Sequence, residues 1–246
     1  MGDRVRNGGN RALSDRDPAR FIRNETRLLP VPFIPEIRIH QADEVTALWH
    51  STERELDQAG LQPPFWAFAW AGGRGLCRYI LDHTETVAGK RVLDFASGSG
   101  LVAIAAALAG ARAVEAVDID PFAAIAIRLN AEANGVVVRD KDGDRIGSPI
   151  DAEILLAGDI FYDRGFAERV LPWLREIAAS CRVLVGDPGR HYRPVQGMLE
   201  IARYDVPVEA ALEDGSFKSV SILEILPVPA NAFSADFRPC DSASVR

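Results

Sequence analysis

The sequence contains little cysteine and no long apolar run, and both shortages exclude classes of protein. Three cysteines, Cys77, Cys181 and Cys240, form no CxxC pair and no Cys/His spacing that suits zinc. We therefore expect no bound metal and a reducing compartment. No run of about 18 apolar residues occurs, which argues against a membrane span. The richest apolar run, residues 101–109, is short and predicts a buried helix.

Basic residues are in the minority, and the first residues form no apolar signal segment. The formal net charge is −7, which argues against a nucleic-acid-binding protein. Residues 1–27 carry seven arginines against four acidic residues, a balance of +3, so the remainder carries −10. An acidic body suits a cationic partner such as a lysine side chain. We expect a cytoplasmic protein, or one of the mitochondrial matrix in a eukaryote.

The chain divides into four predicted parts. Residues 1–18 and 227–246 are expected to be flexible tails, residues 19–89 an N-terminal extension with helices, and residues 90–226 the functional core. Within the extension, proline-rich spacing and helical periodicity give four predicted features. These are a strand at 36–39, a helix at 43–59, an aromatic segment at 63–70 and a helix at 76–83.

From residue 90 onward, short β-branched runs alternate with helical patterns. The predicted strands are 91–95, 114–119, 135–138, 153–158 and 182–186, and the predicted helices are 101–108, 121–134, 166–179 and 195–204. Alternation of this kind indicates parallel strands with helices on both faces. Residues 206–212 and 218–226 flank an Asp-Gly turn and predict a hairpin. The predicted fold is α/β: a doubly wound, mostly parallel, Rossmann-like seven-stranded sheet with an antiparallel C-terminal hairpin.

The first candidate site follows the first core strand. A small-residue turn that includes Gly98 and Gly100 lies between this strand and a helix, where a ligand can approach the backbone. The next strand ends at Asp118, 20 residues after Gly98, and a carboxylate there can accept hydrogen bonds from both ribose hydroxyls. The sequence therefore predicts a nucleotide-containing cofactor.

The turn leaves two cofactor classes open. Residues 98–103 match GxGxxA, which is typical of NAD or FAD sites. However, Asp94 lies on the strand four residues before Gly98, and a carboxylate there repels a pyrophosphate but attracts an ammonium and a sulfonium. Asp94 thus favours S-adenosylmethionine (SAM), while an NAD-dependent oxidoreductase stays open as the alternative.

A second candidate site lies at the end of the fourth core strand. Asp159 and Tyr162 would point toward the reactive end of a cofactor, because ligands of α/β sheets bind at the carboxyl ends of the strands. An acidic group and an aromatic ring at this spacing can hold a lysine ammonium and pack its stem. Asp163 is instead predicted to cap the next helix. His83 is expected at the surface, and His191 is a weaker candidate base.

These motifs together resemble a known family. The segment Asp94-x-Ala96-x-Gly98-x-Gly100 is similar to the DxGxGxG loop of class I SAM-dependent methyltransferases, with alanine in place of the first glycine. Asp159-x-x-Tyr162 resembles the [DE]xx[YF] motif of seven-β-strand lysine methyltransferases. Segments 63–73, 118–121, 158–163 and 186–190 resemble the electron-transfer-flavoprotein β-subunit lysine methyltransferase family, in its bacterial branch. Arg193 departs from that pattern, where an apolar residue is more usual.

The resemblance implies roles for particular residues. The methionine part of SAM would lie against Asp94, Ala96, Gly98 and Gly100, the ribose against Asp118, and the adenine against Ile119 and Asp144. Trp70 and Asp159 would also border the cofactor, and Trp66, Phe161 and Tyr162 would face the substrate. Asp159 and Tyr162 would be the catalytic residues.

The resemblance also implies partners. The acceptor would be a lysine of the electron-transfer-flavoprotein β subunit, with a ribosomal stalk protein as a second substrate and S-adenosylhomocysteine as the product. We expect a monomer that uses no metal and binds neither nucleic acid nor membrane. A methyltransferase of a small metabolite or of another ribosomal protein, and a SAM-binding scaffold without activity, stay open beside the NAD-dependent alternative.

Overall fold

A computed structural model of the chain describes residues 17–42, 63–209 and 215–227. The predicted helix at 43–59 and nearly all of both predicted tails lie outside the described residues. The helices are α1 (Pro18–Glu25), α2 (Ala71–Asp82), α3 (Leu101–Leu108), α4 (Pro121–Ala133) and α5 (Arg164–Ile177). The strands are β1 (Arg27–Val31), β2 (Ile34–Gln41), β3 (Arg91–Phe95), β4 (Ala113–Asp118), β5 (Arg139–Asp142), β6 (Ile154–Gly158), β7 (Arg182–Asp187), β8 (Met198–Pro207) and β9 (Phe217–Ile225).

Seven strands form one sheet in the order β5-β4-β3-β6-β7-β9-β8. Strands β3 to β7 pair in parallel, and β9 pairs antiparallel with both β7 and β8. This is the predicted doubly wound sheet with a reversed C-terminal hairpin, so the fold class is confirmed. The first hairpin strand is β8, however, which shares only residues 206 and 207 with the predicted strand 206–212. The order reverses between β3 and β6, and that point is where α/β sheets place their ligands.

Helices cover both faces of the sheet, as the near-continuous apolar strands require. On one face, residues such as Leu76 of α2 and Ile104 of α3 pack with Leu156 of the sheet. On the other face, Trp173 and Leu174 of α5 pack against the opposite side of the strands. None of the helices in the described ranges is long and apolar enough to cross a membrane.

One predicted element is wrong in type. The predicted helix 195–204 is largely strand β8, which pairs with β9 along its length. The register shifts between Glu200 and Ala202, and this bulge interrupts the alternation of buried and exposed side chains. Without a regular alternation, the segment carried no period-two pattern that would have predicted a strand. Pairing with β9 decides the outcome.

One predicted strand is misplaced, and other elements differ in their bounds. The predicted strand 135–138 shares no residue with the observed strand β5, which follows it and carries the charged sequence Arg139–Asp142. β5 is the edge of the sheet, where the side chains of Arg139 and Lys141 reach solvent and discourage further pairing. β2 extends beyond the predicted 36–39, and α2 begins at Ala71, earlier than the predicted residue 76.

Candidate active site

Most of the predicted site residues lie at the carboxyl edge of the sheet, and the turn after β3 is the first of them. The turn after β3 is held against β4 by two hydrogen bonds: the Ser97 N–H donates to the Val117 carbonyl, and the Gly98 N–H donates to Asp118 Oδ2 at 2.8 Å. Gly98 and Gly100 have φ values of +54° and +80°, which glycine adopts without steric conflict. These contacts fix the backbone of the turn, which leads directly into helix α3.

Ala96 adopts a left-handed conformation, with φ of +52°. Ala96, which stands at the first glycine of the DxGxGxG motif, is therefore strained, because a Cβ in this conformation crowds the following carbonyl. The strain sits at the first residue of the candidate cofactor turn.

We expect Ala96→Gly to stabilise the fold by about 0.5–1 kcal/mol, because relief of the left-handed strain exceeds the extra chain entropy of glycine. This corresponds to a rise of about 2 °C in the melting temperature. Ala109 is the matched control, since its φ of −77° suits alanine and Ala109→Gly should destabilise. A melting temperature of Ala96→Gly below that of the unaltered protein would contradict the strain argument.

Asp94 is a buried carboxylate directly beneath the turn. Its Oδ2 accepts hydrogen bonds from the Ala103 N–H at 3.0 Å and from the Ser97 hydroxyl at 2.5 Å. Burial raises the pKa of Asp94 to about 7, and repulsion from Asp118 adds to that rise, while the two hydrogen bonds oppose it. A nearby cation would favour the ionised carboxylate, so this position suits a positively charged ligand.

Asp118 ends β4 and braces the turn on one side and the next helix on the other. Its Oδ1 accepts from the Asp120 N–H at 2.9 Å, while its Oδ2 holds Gly98. Each carboxylate oxygen can accept a further hydrogen bond, which is what two ribose hydroxyls need. Burial raises the pKa values of Asp118 and, to about 6, Asp120. Ile119 is 63% exposed beside this carboxylate, an apolar surface that a planar base could cover.

Asp144 lies in the loop after β5, and this loop is tied to β4 because the Gly143 N–H donates to the Asp118 carbonyl. Its side chain is exposed, pairs with Arg169 at 2.5 Å and accepts from the Ile146 N–H. The loop thus lies beside the candidate adenine position, and the contact of Asp144 with an adenine amine stays a prediction.

Asp159 is nearly buried, and both of its oxygens have partners. Oδ1 accepts from Arg190 Nε at 3.0 Å and Nη2 at 2.6 Å, and Oδ2 accepts from the Gly73 N–H at 3.0 Å in the first turn of α2. The residue adopts a φ of +57°, which aspartate tolerates better than most residues. The guanidinium of Arg190 also lies 5.9 Å from the centre of the Trp70 ring. An acid and an aromatic ring therefore already hold a cation at this position.

An aromatic group borders this acid. Trp70 Nε1 donates to the Phe65 carbonyl at 3.0 Å, and the Phe65 ring contacts the rings of both Trp70 and Tyr162. Tyr162 is 49% exposed, so it is accessible to a substrate that approaches Asp159. The predicted trio Trp70, Asp159 and Tyr162 thus shares one side of the site.

Two predicted substrate residues lie elsewhere. Phe161 is completely buried in the core between the sheet and α5, so a substrate cannot reach its ring in this structure. Trp66 is also buried and stacks on Phe122 of α4, where it supports the fold. Both residues pack as hydrophobic side chains usually do, which overrides the expectation that they line a channel. His83 and His191 are exposed, beside Glu85 and Tyr192 respectively.

Sequence reasoning missed how glycines bring α2 onto the sheet. A Cβ on Gly72 would lie 2.3 Å from the Gly186 carbonyl and 2.5 Å from Asp159 Oδ2, so only glycine allows this approach. Gly158 similarly faces the backbone of Gly73. The sequence signal was the Gly72-Gly73 pair, but its partners are 85 or more residues away in the chain and only the fold identifies them.

The contacts made by the loop after β7 were also not predicted from the sequence. Asp187 is fully buried, and its Oδ1 accepts from the N–H groups of Gly189 and Arg190, which fixes the start of the loop. Arg193, the departure from the family pattern, lies 3.8 Å from the same oxygen and donates to the Ser221 hydroxyl. Segment 186–190 therefore holds Arg190 against the carboxylate of Asp159.

Known proteins are similar to this chain over the cofactor turn and Asp118, and some of them also over Asp159. Residues 74–146 match the family model described as ribosomal protein L11 methyltransferase (PrmA). This segment contains the cofactor turn and Asp118 and ends before Asp159. A ribosomal protein L11 methyltransferase of Acinetobacter baumannii is 41% identical over 87 residues, which cover 33% of this chain and 29% of that protein.

Longer matches include Asp159, because each covers 70% or more of this chain. An electron transfer flavoprotein beta subunit lysine methyltransferase homolog of Caenorhabditis elegans is 32% identical over 219 residues, which cover 78% of this chain and 88% of that protein. The electron transfer flavoprotein beta subunit lysine methyltransferase of Xenopus laevis is 40% identical over 177 residues, 70% of this chain and 71% of that protein.

Proposed function

Because the chain belongs to the electron transfer flavoprotein β-subunit lysine methyltransferase family, we propose that it transfers methyl groups from SAM to lysine side chains of that β subunit. The similarity across 88% of the Caenorhabditis elegans relative carries the proposal. It includes the acceptor side of the site, which the ribosomal protein L11 methyltransferase model does not reach. The NAD-dependent alternative finds no support among these relatives.

The cofactor side of the site fits SAM. The buried carboxylate of Asp94 suits a cofactor with an ammonium and a sulfonium, and Asp118 has an acceptor for each ribose hydroxyl. Ile119 would support the adenine, and the backbone of Gly98 and Gly100 permits close approach. When bound, SAM supplies a methyl group already activated by its positively charged sulfur.

The protein must then deliver a neutral lysine amine in line with that methyl group. A free lysine has a pKa of about 10.4, so its ammonium has to lose a proton first. We propose that Asp159 anchors the incoming ammonium, and that the rings of Trp70 and Tyr162 exclude water from its stem. Removal from water and nearby positive charge both lower the pKa of an ammonium. Water can accept the proton, so Asp159 need not act as the base.

Arg190 already occupies the carboxylate that is proposed to bind the substrate lysine. Its guanidinium occupies Oδ1 of Asp159 at 2.6 Å and lies against Trp70. A lysine ammonium that binds the same carboxylate and ring has to displace or share this position. The proposed acceptor site is therefore preformed around a cation, and Arg190 competes with the substrate for it.

The test is a methyl-transfer assay with purified electron transfer flavoprotein from the same organism and methyl-labelled SAM. We expect label on lysines of the β subunit, each methyl adding about 14 Da to a peptide in mass spectrometry. The matched control is the same flavoprotein with its lysines chemically blocked, which should stay unlabelled.

Two results would contradict this assignment in different ways. A protein that binds SAM by calorimetry but leaves the β subunit unlabelled would have a different acceptor, and ribosomal proteins and then small metabolites would be tested next. A protein that binds no SAM would not be a SAM-dependent enzyme at all.

A further inference from the structure

The N-terminal hairpin β1–β2 docks on helix α4 through two asparagines. The Arg38 N–H donates to Asn134 Oδ1 at 2.9 Å, and Asn134 Nδ2 donates back to the Arg38 carbonyl. Two residues further along β2, the His40 N–H donates to Asn130 Oδ1 at 2.8 Å. The side chains of Asn130 and Asn134 thus pair with the edge of β2 that β1 leaves free.

Asn130 makes a contact that Asn134 does not share. Its Nδ2 donates to the Ser99 carbonyl at 2.7 Å, inside the candidate cofactor turn, and its side chain is fully buried. The turn also packs closely on α4, because a Cβ on Gly100 would lie 3.2 Å from Ile127. A single amide therefore joins the hairpin backbone to the turn backbone.

We propose that Asn130 is a positioning residue that couples docking of the hairpin to the shape of the cofactor turn, and so raises the affinity for SAM. The inference rests on the proposed cofactor. The turn contains positive φ values at Ala96, Gly98 and Gly100, so its peptide groups need external partners to hold their orientation. Loss of Asn130 leaves the buried Ser99 carbonyl without this donor, and a relaxed turn has to be reordered whenever SAM binds.

The matched pair of variants is Asn130→Ala and Asn134→Ala. Both remove an asparagine that binds β2, so both should lower the melting temperature. Asn130→Ala should also weaken SAM binding about 5- to 20-fold by calorimetry, a typical coupling between sites. Asn134→Ala should change it by less than about 2-fold. In steady-state kinetics Asn130→Ala should raise KM for SAM, with kcat at saturating SAM close to that of the unaltered enzyme.

Amide hydrogen exchange tests the proposal without SAM. The amides of residues 98–101 should exchange at least about 10-fold faster in ligand-free Asn130→Ala than in Asn134→Ala, because local opening of the turn becomes easier. Equal exchange in the two variants, or equal SAM affinities, would show that Asn130 supports only the fold. This comparison stands even if the unaltered chain binds no SAM, in which case the proposed function fails separately.

A measurement on the unaltered protein covers the case in which Asn130→Ala does not fold. Coupling is reciprocal, so SAM bound at the turn should strengthen the bond between Asn130 and the hairpin. We expect SAM to slow exchange of the His40 amide more than that of the Arg38 amide on the same strand. Equal protection of the two amides would overturn the proposal.

Discussion

Asp159→Asn should lower the rate of methyl transfer at least about 100-fold, the loss usual when a charged group that orients a reacting atom is removed. The SAM affinity should change by less than about 3-fold, because Asp159 lies on the acceptor side of the site. Asparagine tolerates the positive φ at this position and keeps an acceptor for the Gly73 N–H. The fold should therefore survive while the negative charge is lost. Turnover and calorimetry on the same preparation check both parts.

Two control variants distinguish binding of the lysine ammonium by Asp159 from the general effect of removing a negative charge. Asp163→Asn removes a carboxylate four residues away, and asparagine caps α5 equally well through the Phe166 N–H, so turnover should stay within about 3-fold. Arg190→Ala breaks the same ion pair from its other side. If Arg190 competes with the substrate lysine, this variant should keep turnover and lower KM for the protein substrate.

The pair of results at Asp159 and Arg190 distinguishes two roles. A folded Arg190→Ala that is as inactive as Asp159→Asn would mean that the ion pair positions the loop after β7, and that Asp159 does not receive the lysine. Full activity in Asp159→Asn would remove Asp159 from the mechanism altogether.

Asp118→Ala should weaken SAM binding by about 1–3 kcal/mol, which is about 5- to 150-fold in the dissociation constant. The Asp118 carboxylate is expected to accept hydrogen bonds from both ribose hydroxyls, and it also accepts them from the N–H groups of Gly98 and Asp120. Its removal therefore takes away two ligand contacts and loosens the turn. Isothermal titration calorimetry measures the change directly.

The neighbouring carboxylate provides the control for charge. Asp120→Asn removes one negative charge from the same edge of the sheet but keeps the cap on the Phe122 N–H, so SAM affinity should fall by less than about 3-fold. S-adenosylhomocysteine has the same ribose but no sulfonium, so Asp118→Ala should weaken both ligands alike. A loss confined to SAM would show that Asp118 acts through charge and not through the ribose.

Local signals predicted much of the fold. The strands that became β3, β6 and β7 are short, largely buried apolar runs, and β4 alternates buried and partly buried residues, so each pattern is recognisable from the sequence. Helix α4 agrees with the predicted helix 121–134, and the structure adds Asp120 as its N-cap before Pro121. β8 was missed because a bulge disturbs its alternation, and edge strand β5 because its residues are charged.

The candidate site was predictable in part for the same reason. The turn residues and Asp118 lie 20 residues apart with a fixed strand–turn–helix geometry between them, so their meeting follows from the sequence. Phe161 was predicted to face the substrate together with Tyr162, but its ring is completely buried in the core, whereas the ring of Tyr162 is half exposed. Neighbours along a chain need not share an environment.

The alternation of strands and helices, the cofactor turn and the motifs that resemble a lysine methyltransferase family follow from the sequence, because each motif consists of residues close together in the chain. The contact of Arg190 with Asp159, the approach of Gly72 to Gly186 and the bridge from β2 to the turn through Asn130 are visible only in the folded chain. Those contacts join residues 31 to 114 positions apart. Their partners are chosen by strand order and helix packing, which local propensity does not encode.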